Sequence, residues 1–160
     1  MKKINKIVIV YSATRKTDKV LSKVNEIIES SSSNVVLSTN IKKLNAETLK
    51  KISKAELILV LGGDGTMIGS LRNLHFLNIP FLGINSGTVG FLTDLSLSKI
   101  EKLKDILLGS YTKERRPVFE AYSDKNKKEI FLNEVVLHSG SVTKMLDLEL
   151  SLKDQVIYNL

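Results

Sequence analysis

The sequence predicts an α/β fold: a doubly wound, mostly parallel α/β domain, followed by the first antiparallel strands of an incomplete all-β domain. Three observations predict it. Short apolar runs alternate with segments of helical period from Lys6 to Gly109. One of those runs, LILVL at 57–61, is apolar at every position, as in a strand covered on both faces in a parallel sheet. After Tyr111 the helical period disappears and strict alternation replaces it, as in LDLELSLK at 146–153.

Each element follows from its local pattern. KIVIVY at 6–11 reads as a first strand, and Val20, Leu21, Val24, Ile27 and Ile28 fall on one face of a helix that the serines at 30–33 end. NVVLS at 34–38 is a short second strand, and NAETLKKISKA at 45–55 is a short helix capped by Asn45. LILVL is the third strand. Behind GGDGT at 62–66, Met67, Leu71 and Leu74 mark a helix that stops before Pro80. FLGIN at 81–85 is the fourth strand. In SLSKIEKLKDILLGS at 96–110, Ser98 and Glu101 form a capping box, Ile100, Leu103, Ile106 and Leu107 share a face, and Gly109 ends the helix. The order β-α-β-α-β-α-β-α is that of a layered α/β domain over 1–111. From 112 to 160 three or four antiparallel strands follow, with turns at SDKNKK and KDQ and with Leu146, Leu148, Leu150 and Leu152 facing inward. That is too little sheet to cover both faces, so the chain reads as the front part of a longer protein.

Bulk properties narrow the function. The net charge of +7 comes from lysines scattered over nearly every segment, and only four of the 24 basic residues are arginine. No stretch interleaves aromatic with basic residues as single-strand binders do, so no nucleic-acid partner is expected. With no cysteine there is no disulfide and no thiolate metal site. The apolar run at the N-terminus is shorter than the roughly 7–15 residues of a secretory signal. No segment approaches the ~18 apolar residues of a membrane span, and a cytoplasmic protein without a membrane partner is expected.

Chemistry concentrates in two glycine-rich loops. GGDGT is either a plain turn or a phosphate loop, for Asp-Gly is a common turn dipeptide. A helix follows it rather than a second strand, which disfavours a hairpin. In open parallel sheets, a glycine-rich loop between a strand end and a helix N-terminus lets backbone amides approach an anion. Gly62, Gly63 and Gly65 would permit that approach, and Thr66 would add a hydroxyl donor. Asp64 repels a phosphate unless it binds Mg²⁺ or accepts a proton from an attacking hydroxyl. The loop lacks the Gly-Lys-Ser/Thr of a Walker A motif. GINSGTVGFLTDL at 83–95 repeats the arrangement one strand later, with Gly83, Gly87 and Gly90 around Asn85, Ser86 and Thr88. Further on, Asn133 and Glu134 stand inside an apolar strand, FLNEVVLHSG, and point to opposite faces. His138 reads as a surface or turn residue with no metal cluster near it.

Four blocks, LGGDGTM, LGINSGTVGFLTDL, ERRPVFEA and FLNEVVLHSGSVTKMLDLEL, resemble the NAD kinase family in order and spacing. Lipid kinases and 6-phosphofructokinases share versions of GGDG. However, the lipid kinases usually place Asn-Glu soon after the threonine, where this chain has MIGSL. The resemblance implies transfer of a phosphoryl group from ATP, or in some members polyphosphate, to the adenosine ribose 2′-hydroxyl of NAD, with a divalent cation, Mg²⁺. It makes Asp64 the proton acceptor, with Gly65 beside it at the NAD, and Gly62, Gly63 and Thr66 the loop that the phosphates approach. Phe91 matches an aromatic near the adenine, Asn133 and Glu134 a pair contacting NAD ribose or nicotinamide, and Lys144 a basic residue near the substrate. It also implies that 1–111 is a nucleotide-binding domain, that 112–160 begins a β-rich NAD-binding domain, and that the full-length protein is a homo-oligomer. The family continues with an Arg/Asp-Gly segment and a TPTGSTAYSLSAGG-like stretch, and neither occurs here. Little or no kinase activity is therefore expected of this chain alone. A different GGDG-type kinase and a non-catalytic nucleotide-binding module are the alternatives.

Overall fold

Five strands pair side by side in the computed structural model, which describes residues 2–13, 17–85, 90–123, 127–138, 140 and 145–159. The chain divides into two compact units, Met1–Pro117 and Val118–Leu160.

In the first unit the elements run β1 (Lys6–Tyr11), α1 (Thr17–Ser30), β2 (Asn34–Asn40), α2 (Ala46–Ile52), β3 (Leu57–Leu61), α3 (Asp64–Leu74), β4 (Phe81–Asn85), β5 (Leu95–Ser96) and α4 (Lys102–Leu107). All neighbouring strands are parallel, in the order β2-β1-β3-β4-β5. Because strand side chains alternate, each central strand feeds two cores at once. Ile7, Ile9, Leu57, Leu59 and Leu61 pack with Val20, Val24 and Ile28 of α1 and with Leu103 and Leu107 of α4. Val8, Val10, Ile58 and Val60 pack on the other face with Ile52 of α2 and with Met67 and Leu74 of α3. Helices on both faces make the sheet doubly wound, and they explain why LILVL needed no polar position. Each fully buried Leu or Ile in these layers is worth about 1.5–3 kcal/mol relative to exposure.

Local chemistry sets the ends of the elements. The Asn45 side chain accepts from the Thr48 amide while the Thr48 hydroxyl accepts from the Asn45 amide, a reciprocal cap on α2. The serines after α1 do more than stop it. The Ser31 hydroxyl donates to the Ile27 carbonyl and the Ser33 hydroxyl to the Ile4 carbonyl, both at 2.7 Å, which ties the helix end to the entry of β1. At the same end of the sheet, Glu56 accepts from the amides of Asn5 at 2.6 Å and Lys6 at 3.2 Å. Those contacts, the Asn5 amide foremost, hold the Glu56 carboxyl below the ordinary glutamate range, while its desolvation acts in the opposite sense.

One expectation fails in the last helix of this unit. Ser98 and Glu101 do not form a capping box. A 3-10 turn at Leu97–Lys99 precedes α4, and Glu101 is the N-cap, without a side-chain cap bond. Its carboxylate instead reaches Lys23 of α1 at 2.9 Å, and the Ser98 hydroxyl bonds Ser96. The two-residue strand β5 takes the chain that the sequence assigned to the helix approach, so the helix starts late.

The second unit holds two antiparallel hairpins, β6 (Phe119–Tyr122) with β7 (Lys128–Phe131) and β8 (Glu149–Leu152) with β9 (Gln155–Asn159). Lys153 and Asp154 join the second pair at φ 47° and 65°, the paired positive φ of a two-residue hairpin turn. The inward stripe expected of Leu146, Leu148, Leu150 and Leu152 is not built: Leu150 and Leu152 are 60% and 62% exposed. A two-stranded hairpin has no second layer to bury such a stripe against.

Candidate functional site

The sheet order places a crevice before any side chain is considered. From β1 the chain goes to β2 on one side, then crosses back to β3 on the other. In such sheets ligands sit outside the carboxyl ends of the strands where the order reverses, here between β1 and β3. The loop leaving β3 at that point is GGDGT.

Gly62 ends β3 at φ 153°, with its amide donating to the Ile84 carbonyl of β4 at 3.0 Å. A Cβ there would overlap the Thr66 side chain, so only glycine lets Thr66 fold back over the strand end. Gly63 is the extended N-cap of α3, and its carbonyl accepts from the Thr66 and Met67 amides. Asp64 occupies the first helical position, where a carboxylate suits the helix dipole. The amides of Asp64 and Gly65 come too early in α3 to bond a carbonyl four residues back, which makes this end a place for an anion. The outer side of the loop is open: a Cβ on Gly63 or Gly65 would meet nothing within 4 Å.

The second glycine loop meets the first through Asp64. Its Oδ2 accepts from the Phe91 amide at 2.8 Å and its Oδ1 from the Leu92 amide at 3.0 Å. The Phe91 ring beside this contact is 95% exposed. Deeper in, Asn85 at the end of β4 is buried, and its side-chain amide donates to the Thr93 hydroxyl at 3.3 Å. Asp94 braces the same strand, accepting from the Gly83 amide at 2.7 Å and donating its own amide to the Gly83 carbonyl at 2.9 Å.

The structure thus brings Gly62, Gly63, Asp64, Gly65, Thr66, Asn85 and Phe91 to the carboxyl ends of β3 and β4. Ser86, Gly87 and Thr88 lie outside the described residues, as does Lys144. Asn133 and Glu134 belong to the second unit, and the strand reading of them is corrected. They follow the end of β7 in irregular chain and both are exposed. No ladder carries FLNEVVL onward, so they do not point to opposite faces of a sheet. Sequence reasoning passed over Thr93 and Asp94, whose roles depend on a fold-back onto β4 that no local pattern announces. Among the described residues no group of three or more His, Asp or Glu side chains is placed to hold a metal ion. Nor is any helix there long and apolar enough to cross a membrane.

Comparison with known proteins follows the same residues. The model of the ATP-NAD kinase N-terminal domain matches residues 7–111. An NAD kinase of Hahella chejuensis (strain KCTC 2396) is 34% identical over 136 residues, 82% of this chain and 45% of its own length. One of Nitrosomonas europaea is 40% identical over 119 residues, 71% of this chain and 40% of its own. The chain therefore spans less than half the length of these curated relatives. Among solved structures, a flavodoxin from the domain Archaea aligns over 64% of this chain and 94% of its own, at 13% identity and a TM-score of 0.35.

Proposed function

The chain belongs to the ATP-NAD kinase family, and from that premise we propose that it forms the nucleotide-binding part of an NAD kinase. The reaction is transfer of the γ-phosphoryl group of ATP, or of a polyphosphate end, to the 2′-hydroxyl of the adenosine ribose of NAD, giving NADP. The observation that carries this reading is Asp64. A carboxylate stands at the N-terminus of α3, at the reversal point of the sheet, against the loop that presents Phe91.

The proposed roles rest on the family resemblance together with the geometry of the loop. The open side of Gly63 and Gly65 and the amides of Asp64 and Gly65 at the start of α3 receive phosphate oxygens, with the Thr66 hydroxyl as a further donor. Asp64 uses two of its roughly four acceptor positions on the Phe91 and Leu92 amides, which leaves others for the ribose hydroxyl and its proton. The exposed Phe91 ring offers a face for the adenine. Asn133, Glu134 and Lys144 keep the NAD-contacting roles that the family resemblance implies. On this reading a divalent cation, Mg²⁺, comes to the site with the donor phosphates. Phosphoryl transfer asks chiefly for positioning and charge neutralisation, which such a loop is built to supply.

The same reading places the protein in the cytoplasm. It also makes it a homo-oligomer through the β-rich part, which would cover Leu150, Leu152, Val156 and Ile157.

Asp64→Asn is the test. In the full-length enzyme, NADP formation with ATP and Mg²⁺ should fall by about 10²–10⁴-fold while NAD binding, followed by calorimetry, survives in part. Near-normal turnover in that variant would remove Asp64 as the proton acceptor.

A further inference from the structure

Asp64 is engaged before any substrate arrives. Both carboxylate oxygens accept backbone amides, and both amides come from the neighbouring glycine loop rather than from α3. Hydrogen bonds to an ionised acceptor are stronger than neutral ones. The contact also has a steric condition. A Cβ on Gly90 would overlap the Asp64 carboxyl group, so the amides at 91 and 92 reach it only because residue 90 has no side chain. By contrast, Phe91 is 95% exposed, so packing among the described residues holds its ring little. What fixes Phe91 is its own amide.

We propose that Asp64 and Gly90 form a positioning pair that fixes Phe91 at the mouth of the site, so that one carboxylate serves both as the acceptor and as the anchor of the aromatic platform. The anchor stands on the geometry alone; its consequence for NAD rests on the kinase reading above. Asp64→Asn then removes two functions together. Its side chain has a single acceptor oxygen, and its NH₂ group would face one of the two amides, so at most one of the bonds survives. Gly90→Ala removes only the anchor, because the carboxylate stays. The two substitutions therefore separate functions that Asp64→Asn alone confounds.

Hydrogen exchange resolved to single amides decides the anchor, using this chain without ligand. Phe91 and Leu92 should exchange about tenfold or more faster in both Asp64→Asn and Gly90→Ala, while the amides of β1 and β3 keep their rates. If Gly90→Ala fails to fold, Asp64→Asn carries the measurement. Unchanged rates at 91 and 92, with the β1 and β3 amides intact, overturn the proposal.

Calorimetry with NAD then tests the tie to Phe91. Gly90→Ala and Phe91→Ala should weaken binding by a similar factor, and Gly90→Ala should add little once the ring is gone. Fully multiplicative losses would show that the pair does not act through Phe91. In turnover of the full-length enzyme, Gly90→Ala should raise the KM for NAD with kcat largely kept, whereas Asp64→Asn should lower kcat as well. A wild-type protein that binds no NAD would overturn the kinase reading and the consequence for NAD, while the exchange rates still decide the anchor.

Discussion

The two units of this chain use apolar side chains in opposite ways. In the first, Ile7, Val8, Ile9 and Val10 run consecutively through β1 and every one is fully buried. In the second, Val156, Ile157 and Tyr158 run consecutively through β9 and are 50–57% exposed. The residue types are similar, and both segments pair as strands. The difference is that helices cover the parallel sheet on both faces, while among the described residues each hairpin strand pairs with one other strand and its apolar side chains stay exposed. Apolar content therefore does not locate stability; coverage does.

The largest expected effect sharpens that contrast. Leu59→Ala in β3 should lower unfolding free energy by about 2–5 kcal/mol, because a fully buried leucine leaves a cavity. Leu150→Ala in β8, measured on this chain as a monomer, should change it by no more than about 0.5 kcal/mol, as at other exposed positions. Urea titration of both variants measures the pair, and equal losses would break the comparison.

A smaller effect separates two glycines of one loop. Gly62→Ala meets Thr66 and takes a φ of 153°, which should cost about 1–3 kcal/mol. Gly63→Ala has open space and an ordinary extended φ of −85°, and it should stay within about 0.5 kcal/mol. Thermal melts distinguish them, and a Gly63→Ala loss as large as that of Gly62→Ala would contradict the crowding argument.

The smallest effects compare two carboxylates. Glu56 joins the entry of β1 to that of β3 through two backbone amides and Lys2, whereas Glu120 pairs with Lys128 and Tyr122 on the face of a hairpin. The folded Glu56 carboxyl lies below its unfolded value, so its contribution is complete above the ordinary glutamate range and disappears as pH falls through the folded value. Glu56→Gln should therefore lose about 1 kcal/mol near neutral pH and little in strong acid. Glu120→Gln should change unfolding free energy by a few tenths of a kcal/mol, since an exposed ion pair contributes little. Denaturation at several pH values checks both, and a Glu56→Gln loss that persisted in strong acid would refute the amide-bond account.

Legibility follows the range of the interactions that make each feature. Strands β1, β3 and β4 appear at the residues that the apolar runs predicted, and Asn45 caps α2 as its spacing predicted, because those signals are local. The Ser98–Glu101 box looked equally local and failed: a salt bridge to Lys23 and a bond to Ser96 claimed the two side chains. Asn133 and Glu134 read as strand residues because their neighbours are apolar, but a strand needs a partner as well as a pattern, and β7 ends before them.

By itself the sequence determined the alternation of strand and helix, the doubly wound class and the position of GGDGT between a buried strand and a helix. Hydrophobic period and glycine placement are properties of consecutive residues, and so they can be read without a fold. Only the tertiary structure decided the order β2-β1-β3-β4-β5 and the meeting of Asp64 with the amides of Phe91 and Leu92. Those contacts join residues 27 and 28 positions apart. They exist because parallel pairing of β3 with β4 brings two strand ends side by side, which no local pattern encodes.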